Sequence, residues 1–247
     1  SDLRGAKVFS HPQALGQCQA FIRRWGLEPA FLDRDEPRCG LCQRAHPPFE
    51  RAVAYGSYDG GLRDLIHLLK YQQVRPAAGV LGRMLAEAIA ALESSLPEGS
   101  IAVVPVPLHA RKRAQRGFNQ SELIARVACK QLNLPQRFRI SAEALVRRRE
   151  TESQIGLTRH QRRENLRGAF AVANRESIAE ANVLLVDDVF TTGTTAAECA
   201  RVLRKAGAQR VWVATVARTL KVSEIFAVPE QEFDEANAGR MAAAAHG

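Results

Sequence analysis

One stretch constrains this chain more than any other. Val183-Leu184-Leu185-Val186 is a run of four branched apolar residues, followed at once by Asp187-Asp188, then Val189-Phe190 and the loop Thr191-Thr192-Gly193-Thr194-Thr195. A continuous apolar run bounded by polar turn residues reads as a strand buried on both faces, the kind found in parallel sheets. The strand delivers two carboxylates to its C-terminal end, the edge of an open α/β sheet where ligands bind. A loop of small hydroxyl residues around one Gly then opens a helix expected over Ala196 to Ala206. Helix N-termini present N–H groups and a positive dipole end, so the loop suits a phosphate. It contains no Lys or Arg, so main-chain amides and Thr hydroxyls would provide the grip. Two acids beside a phosphate would repel it if they touched it. They make sense facing neutral hydroxyls or a metal, and a sugar 5-phosphate satisfies both halves.

The rest of the chain agrees with a parallel sheet. Ala52-Val53-Ala54-Tyr55, Ile101-Ala102-Val103-Val104, Phe170-Ala171-Val172 and Val211 to Val216 read as strands. Leu62, Leu65, Ile66 and Leu69 mark a helix by their spacing. Further helices are expected over about Ala77 to Leu92 and Ser121 to Leu132. Alternating strands and helices predict an α/β fold with a parallel sheet flanked by helices. Residues 1–50 read as a separate small N-terminal module, 51–222 as the main domain, and 223–247 as a disordered acidic tail. The stretch from Arg147 to Arg167 is too polar for core and reads as a long loop with a turn or two of helix.

The chain has 247 residues, of which 46% are hydrophobic and 25% charged, a balance that excludes wholesale disorder. The most apolar stretch, Gly79 to Leu92, is interrupted by Arg83 and Glu87, so no membrane insertion is expected. No export signal opens the sequence, and five Cys do not suggest a disulfide scaffold. A cytoplasmic location follows as the expectation. Net charge is +9, and residues 101–170 alone hold 15 basic residues against 5 acidic ones. That concentration points to a polyanion, either phosphates on a small molecule or single-stranded DNA. The aromatics within it, Phe118, Phe138 and Phe170, are too sparse for a stacking platform.

Two other readings of an apolar run ending in Asp-Asp fail. P-loop ATPases also need G-x-x-x-x-G-K-[ST], which is absent here. Phospho-receiver domains carry their acids near the start of the domain, not about 130 residues into it.

The stretch from Val183 to Thr195 resembles the 5-phosphoribosyl 1-pyrophosphate (PRPP) motif of type I phosphoribosyltransferases. The likeness extends to the ComF/GntX family over roughly residues 37–220. It rests on Val104-Pro105-Val106-Pro107-Leu108-His109, Arg113 and Arg116-Gly117-Phe118-Asn119-Gln120-Ser121. It rests also on Arg147, Arg149, Thr151, Gln154, Leu157, Arg163-x-Asn165 and Gly168-Ala169-Phe170, and on Tyr58, Leu62-Arg63, Ile66-His67 and Leu69-Lys70-Tyr71. The resemblance implies a type I phosphoribosyltransferase-like fold. It implies PRPP bound with Mg²⁺, with Asp187 and Asp188 on the ribose and Thr191, Thr192, Gly193, Thr194 and Thr195 on the 5-phosphate. It also implies Arg113 in the pyrophosphate loop, and Arg147, Thr151 and Gln154 on a catalytic lid that excludes water.

The family's association with natural competence and DNA uptake makes competence proteins candidate partners. Its N-terminal module carries paired C-x-x-C zinc motifs. Here only Cys39-x-x-Cys42 is intact, so these are the candidate ligands, and a full zinc site is not expected because structural zinc takes four. The 6-oxopurine enzymes of the fold place an Asp general base where Thr191 stands. Thr cannot take up a proton at neutral pH, which disfavours hypoxanthine or guanine as acceptor. Two functions remain open: a pentosyl-transferring enzyme of unknown acceptor, and a non-catalytic PRPP sensor that binds single-stranded DNA.

Overall fold

The computed structural model describes residues 47–150 and 159–219. The Cys39–Cys42 pair, Thr151, Gln154, the tail and most of the N-terminal module lie outside them. The order is β1 (Ala52–Ser57), α1 (Gly60–Tyr71), α2 (Ala77–Leu92), a short 3-10 turn, β2 (Ile101–Pro105), α3 (Ala110–Arg116), α4 (Gln120–Leu132), β3 (Phe138–Ile140), β4 (Leu145–Arg147), α5 (Arg159–Leu166), β5 (Phe170–Val172), β6 (Asn182–Phe190), α6 (Thr194–Lys205) and β7 (Arg210–Arg218).

The main sheet has five strands in the order β1-β7-β6-β2-β3, and every pairing in it is parallel. Its central strands are Val-rich because both faces are covered. Val183 and Leu185 pack in one core with Cys199, Ala200 and Leu203 of α6. Leu184 and Val186 pack in the other with Leu81, Leu85 and Ile89 of α2 and Ile124 of α4. Side chains along a strand alternate between faces, and the two cores follow that alternation. Helix α2 is buried along most of its length, and α4 lies against it so closely that a Cβ on Gly82 would collide with Val127. That explains why the most apolar stretch of the chain is a core helix.

Three elements were not expected. Helix α3 buries no residue and carries Arg111, Lys112, Arg113 and Arg116, so it has no apolar stripe to reveal it. It ends at Gly117, whose φ of 77° is the left-handed C-cap that Gly adopts at little cost. Strands β3 and β4 have three residues each, too few for a period. Phe170–Val172 is a strand, but it pairs antiparallel with β4 in a separate two-stranded sheet rather than joining the parallel one. The polar stretch after Arg147 does contain about two turns of helix, α5.

The topology opens a crevice at one place. Beyond β2 the chain reaches β3 on one side, and beyond β6 it reaches β7 on the other. The helices that follow pack on opposite faces, α4 with one core and α6 with the other. The two connections therefore part at the β2–β6 boundary, the switch point at which open α/β sheets bind ligands.

Candidate functional site

Strand β6 outruns β2. Their ladder ends at Pro105↔Val186, whereas β7 stays paired with β6 as far as Phe190↔Arg218. Pro105 and Pro107 stop β2, since Pro has no N–H to extend a ladder. Val106 makes the last bond across this boundary, its N–H donating to the Val186 carbonyl at 2.8 Å. Asp187 and Asp188 come next, within the strand but past its neighbour. The expected end of the strand at Val186 is therefore where β2 stops, not where β6 stops.

The start of α4 fills the space β2 leaves. Asn119 caps the helix: its Oδ1 accepts from the Ser121 N–H at 3.1 Å and its Nδ2 donates to the Val106 carbonyl at 3.0 Å. Ser121, buried in the first turn, donates its hydroxyl to Asp187 Oδ1 at 2.9 Å, and the Asp188 N–H donates to the same oxygen at 2.9 Å.

The two acids have different surroundings. Asp188 is 4% exposed and forms an ion pair with Lys70 of α1, Oδ2 to Nζ at 2.8 Å. Burial lowers the Lys70 ammonium, but the charge and hydrogen bond of Asp188 more than offset that, and its pKa is raised. Asp187 is half-buried, and its carboxyl is pushed up to about 7. Burial is the largest cause and the Asp188 charge the second, opposed by Lys70 and by the hydrogen bonds from Asp188 and Ser121. Arg147 and Cys199 feel the Asp187 charge from β4 and α6. Burial pushes the Cys199 thiol well up, so this core cysteine stays protonated.

The loop after β6 closes into α6 through Gly193, which stands at the helix N-cap with φ 71° and makes no side-chain cap. Any Cβ there would meet the Phe190 ring at 2.7 Å, so both backbone conformation and space require Gly. Thr192 and Thr194 hydroxyls share a hydrogen bond at 2.8 Å. The first-turn N–H groups of any α-helix are met from outside its own ladder. The helix begins at Thr194, two residues earlier than expected, which places Thr194 and Thr195 in that turn and Thr191 and Thr192 ahead of it.

Of the expected lid and loop residues, Arg147 comes within electrostatic range of one of the two acids, Asp187. Its guanidinium lies 5.4 Å above the Phe170 ring, and burial lowers its pKa against the opposing charge of Asp187. Arg113 is not brought to them. It is largely exposed on α3 and faces Glu122 at 3.7 Å. Arg149 is also committed elsewhere, donating to the carbonyls of Asn165 and Arg167. Lys70 and Ser121 contact the two acids, although the sequence placed them only within the family likeness and gave them no role. A cation four residues after Ile66, on the apolar stripe of α1, was the available signal. A groove of about 330 Å³ between Phe170, Val172, Arg175, Arg201 and Lys205 lies at the opposite end of α6 from the Thr loop and is no part of this site.

The acids, the Thr/Gly loop at a helix N-terminus and the crevice at the sheet's switch point all belong to a domain of the type I phosphoribosyltransferase-like class, as a family match shows. Residues 120–225 match the family model described as "Phosphoribosyl transferase domain". Over 183 residues the chain is 36% identical to "DNA utilization protein YhgH" of Escherichia coli O6:H1, covering 74% of this chain and 78% of that protein. It is 34% identical over 186 residues to "Competence protein F" of Haemophilus influenzae, covering 73% and 78%. It is 23% identical over 151 residues to "Competence protein ComFC" of Bacillus subtilis, covering 61% and 57%. The chain belongs to the ComF/GntX family of phosphoribosyltransferase-like competence proteins.

Proposed function

We propose that this protein binds PRPP with Mg²⁺ and transfers its phosphoribosyl group. The observation that carries the reading is the Asp187 carboxylate held at the crevice, one strand end away from the Gly193 loop. A 5-phosphate on the first-turn N–H groups would leave the ribose hydroxyls within the reach of Asp187. The acid accepts their hydrogen bonds when ionised, and charge-assisted bonds are the strong ones. Among the described residues no three His, Cys, Asp or Glu side chains form a metal cage. Mg²⁺ would arrive on the pyrophosphate and keep several waters, as Mg²⁺ commonly does. It would neutralise the charge that builds on the leaving group. Arg147, with Thr151 and Gln154 nearby in sequence, would cover the site.

Pyrophosphate release, measured over a panel of nucleobases with and without single-stranded DNA, tests transfer. Release with any acceptor supports it. PRPP binding by calorimetry without release would leave a sensor, and absence of both would remove the reading.

A second reading, a PRPP sensor that holds single-stranded DNA, is favoured by one observation. Tyr71 is 66% exposed, and the Arg116 guanidinium stands 5.9 Å from its ring. The fold thus brings an aromatic face from outside the basic segment onto it, supplying the stacking element that segment lacks.

A further inference from the structure

We propose that Lys70 is a positioning residue of the PRPP site: it holds the Asp188 carboxylate in place and offsets its charge, so that the two adjacent acids do not together repel a pyrophosphate. The inference rests on the PRPP reading for its ligand and on the ion pair alone for its geometry.

Neighbouring residues on a strand point to opposite faces. Asp188 follows Leu184 and Val186 towards the face that carries α1, where Lys70 meets it at 2.8 Å. Asp187 follows Val183 and Leu185 towards the other face, where Arg147 and Cys199 feel its charge. The groups that face the pair are therefore Lys70 from α1, with Tyr58 ahead of that helix acting on Lys70, Arg147 from β4, Cys199 from α6, and the neutral Ser121 from α4. Lys70 and Asp188 are both nearly covered, with side-chain exposures of 18% and 6%. A buried ion pair adds little stability compared with an apolar pair of the same volume, but removing one partner leaves a charge without compensation. A merely stabilising role would be filled at least as well by apolar residues. At this position a pair has a further consequence. It leaves the crevice with a carboxylate for hydroxyl groups while cancelling the second negative charge within a few ångströms of where phosphates would sit.

The test is a double-mutant cycle on the full chain, read by calorimetry with Mg²⁺–PRPP and by thermal melting without ligand. Lys70→Met should weaken PRPP binding at least tenfold. Asp188→Asn should weaken it by no more than about twofold. If Lys70 acts through Asp188, adding Lys70→Met to Asp188→Asn should cost no more than a further threefold, so the double variant binds better than Lys70→Met alone. Lys70→Arg should keep binding near wild type. If Lys70→Met costs the same tenfold with or without Asp188, Lys70 touches the ligand itself and the inference is wrong. It is also wrong if Lys70→Met lowers only the melting temperature and leaves PRPP affinity unchanged. Should the wild-type chain bind no PRPP, the PRPP reading fails first. The cycle in melting temperature then still decides the pair: additive losses overturn it, and rescue of Lys70→Met by Asp188→Asn upholds it. Where Lys70→Met does not fold, the comparison of Asp188→Asn with the double variant carries the test.

Discussion

Two connections flank the crevice, and they are built on opposite principles. The one after β6 is three residues long, Thr191 to Gly193, with Gly193 fixed both by its backbone and by the Phe190 ring. The one after β2 runs from Val106 to Asn119 and contains α3, a basic helix that buries nothing. The first is short, neutral and over-determined. The second is long, cationic and exposed. A site that holds one fixed group and admits a variable one needs both kinds: a rigid cradle where the ligand never changes, and a loose rim where different anions or bases approach. The comparison can be broken in order of severity.

The rigid side should fail most sharply. Gly193→Val places a branched side chain at φ 71°, a region costing roughly 1–2 kcal/mol for an ordinary residue, and drives it into Phe190. PRPP binding should become undetectable by calorimetry while far-ultraviolet dichroism stays near wild type. A variant that still binds PRPP normally would show that this loop does not hold the phosphate.

Asp187→Asn is expected to weaken PRPP binding about tenfold or more, because one or more charge-assisted bonds of about 1.5–3 kcal/mol each are lost. The same change should stabilise the free protein at pH 8. The Asp187 carboxyl ionises near pH 4 in an unfolded chain but at about 7 when folded. Folding therefore favours the protonated acid. The contribution is fully present below about pH 4 and is lost as pH rises through about 7. A melting temperature about 3 °C or more above wild type at pH 8, shrinking towards pH 5, is the expected pattern, given about 2–4 °C per kcal/mol for a chain of this size. An equal gain at both pH values would mean that Asp187 is not strained by its charge.

Much of the rigid side was legible because periodicity and apolar runs encode it. Val183 to Val186 had to be a buried strand, and the Asp pair and Thr/Gly loop followed in register. The loose side was not legible in the same way. Helix α3 has no apolar stripe, and strands of three residues such as β3 and β4 have no period to detect. Charge counts gave the composition of residues 101–170 but not the direction in which each cation points. Arg147, Arg148 and Arg149 are consecutive yet do three different things. Arg147 lies over Phe170 near Asp187, and Arg149 ties down the carbonyls of Asn165 and Arg167. Arg148 is exposed and bonds to Ala169 through its backbone N–H. The pairing of Lys70 with Asp188 spans 118 positions, and no local pattern predicts which of two adjacent acids a distant Lys will choose.

The smallest effect belongs to the loose rim, and it separates the two proposed functions. If single-stranded DNA lies across α3, each phosphate neutralised there contributes about −0.7 to the log–log dependence of affinity on salt. Contact by three to five cations gives a slope of roughly −2 to −3.5. Lys112→Ala with Arg113→Ala removes two cations from a surface that buries nothing, so the fold should not change. The slope should flatten by about 1.4 on the same relation, with PRPP affinity unchanged within about twofold. Arg149→Ala, by contrast, should lower the melting temperature through its lost carbonyl bonds and leave the slope nearly untouched. Replacing all three of Arg147, Arg148 and Arg149 would mix these effects, which is why α3 is the cleaner place to cut. A salt slope unmoved by the α3 pair would take DNA off this helix. A large loss of PRPP affinity from the same pair would instead place the pyrophosphate there and return Arg113 to the site from which its contact with Glu122 separates it.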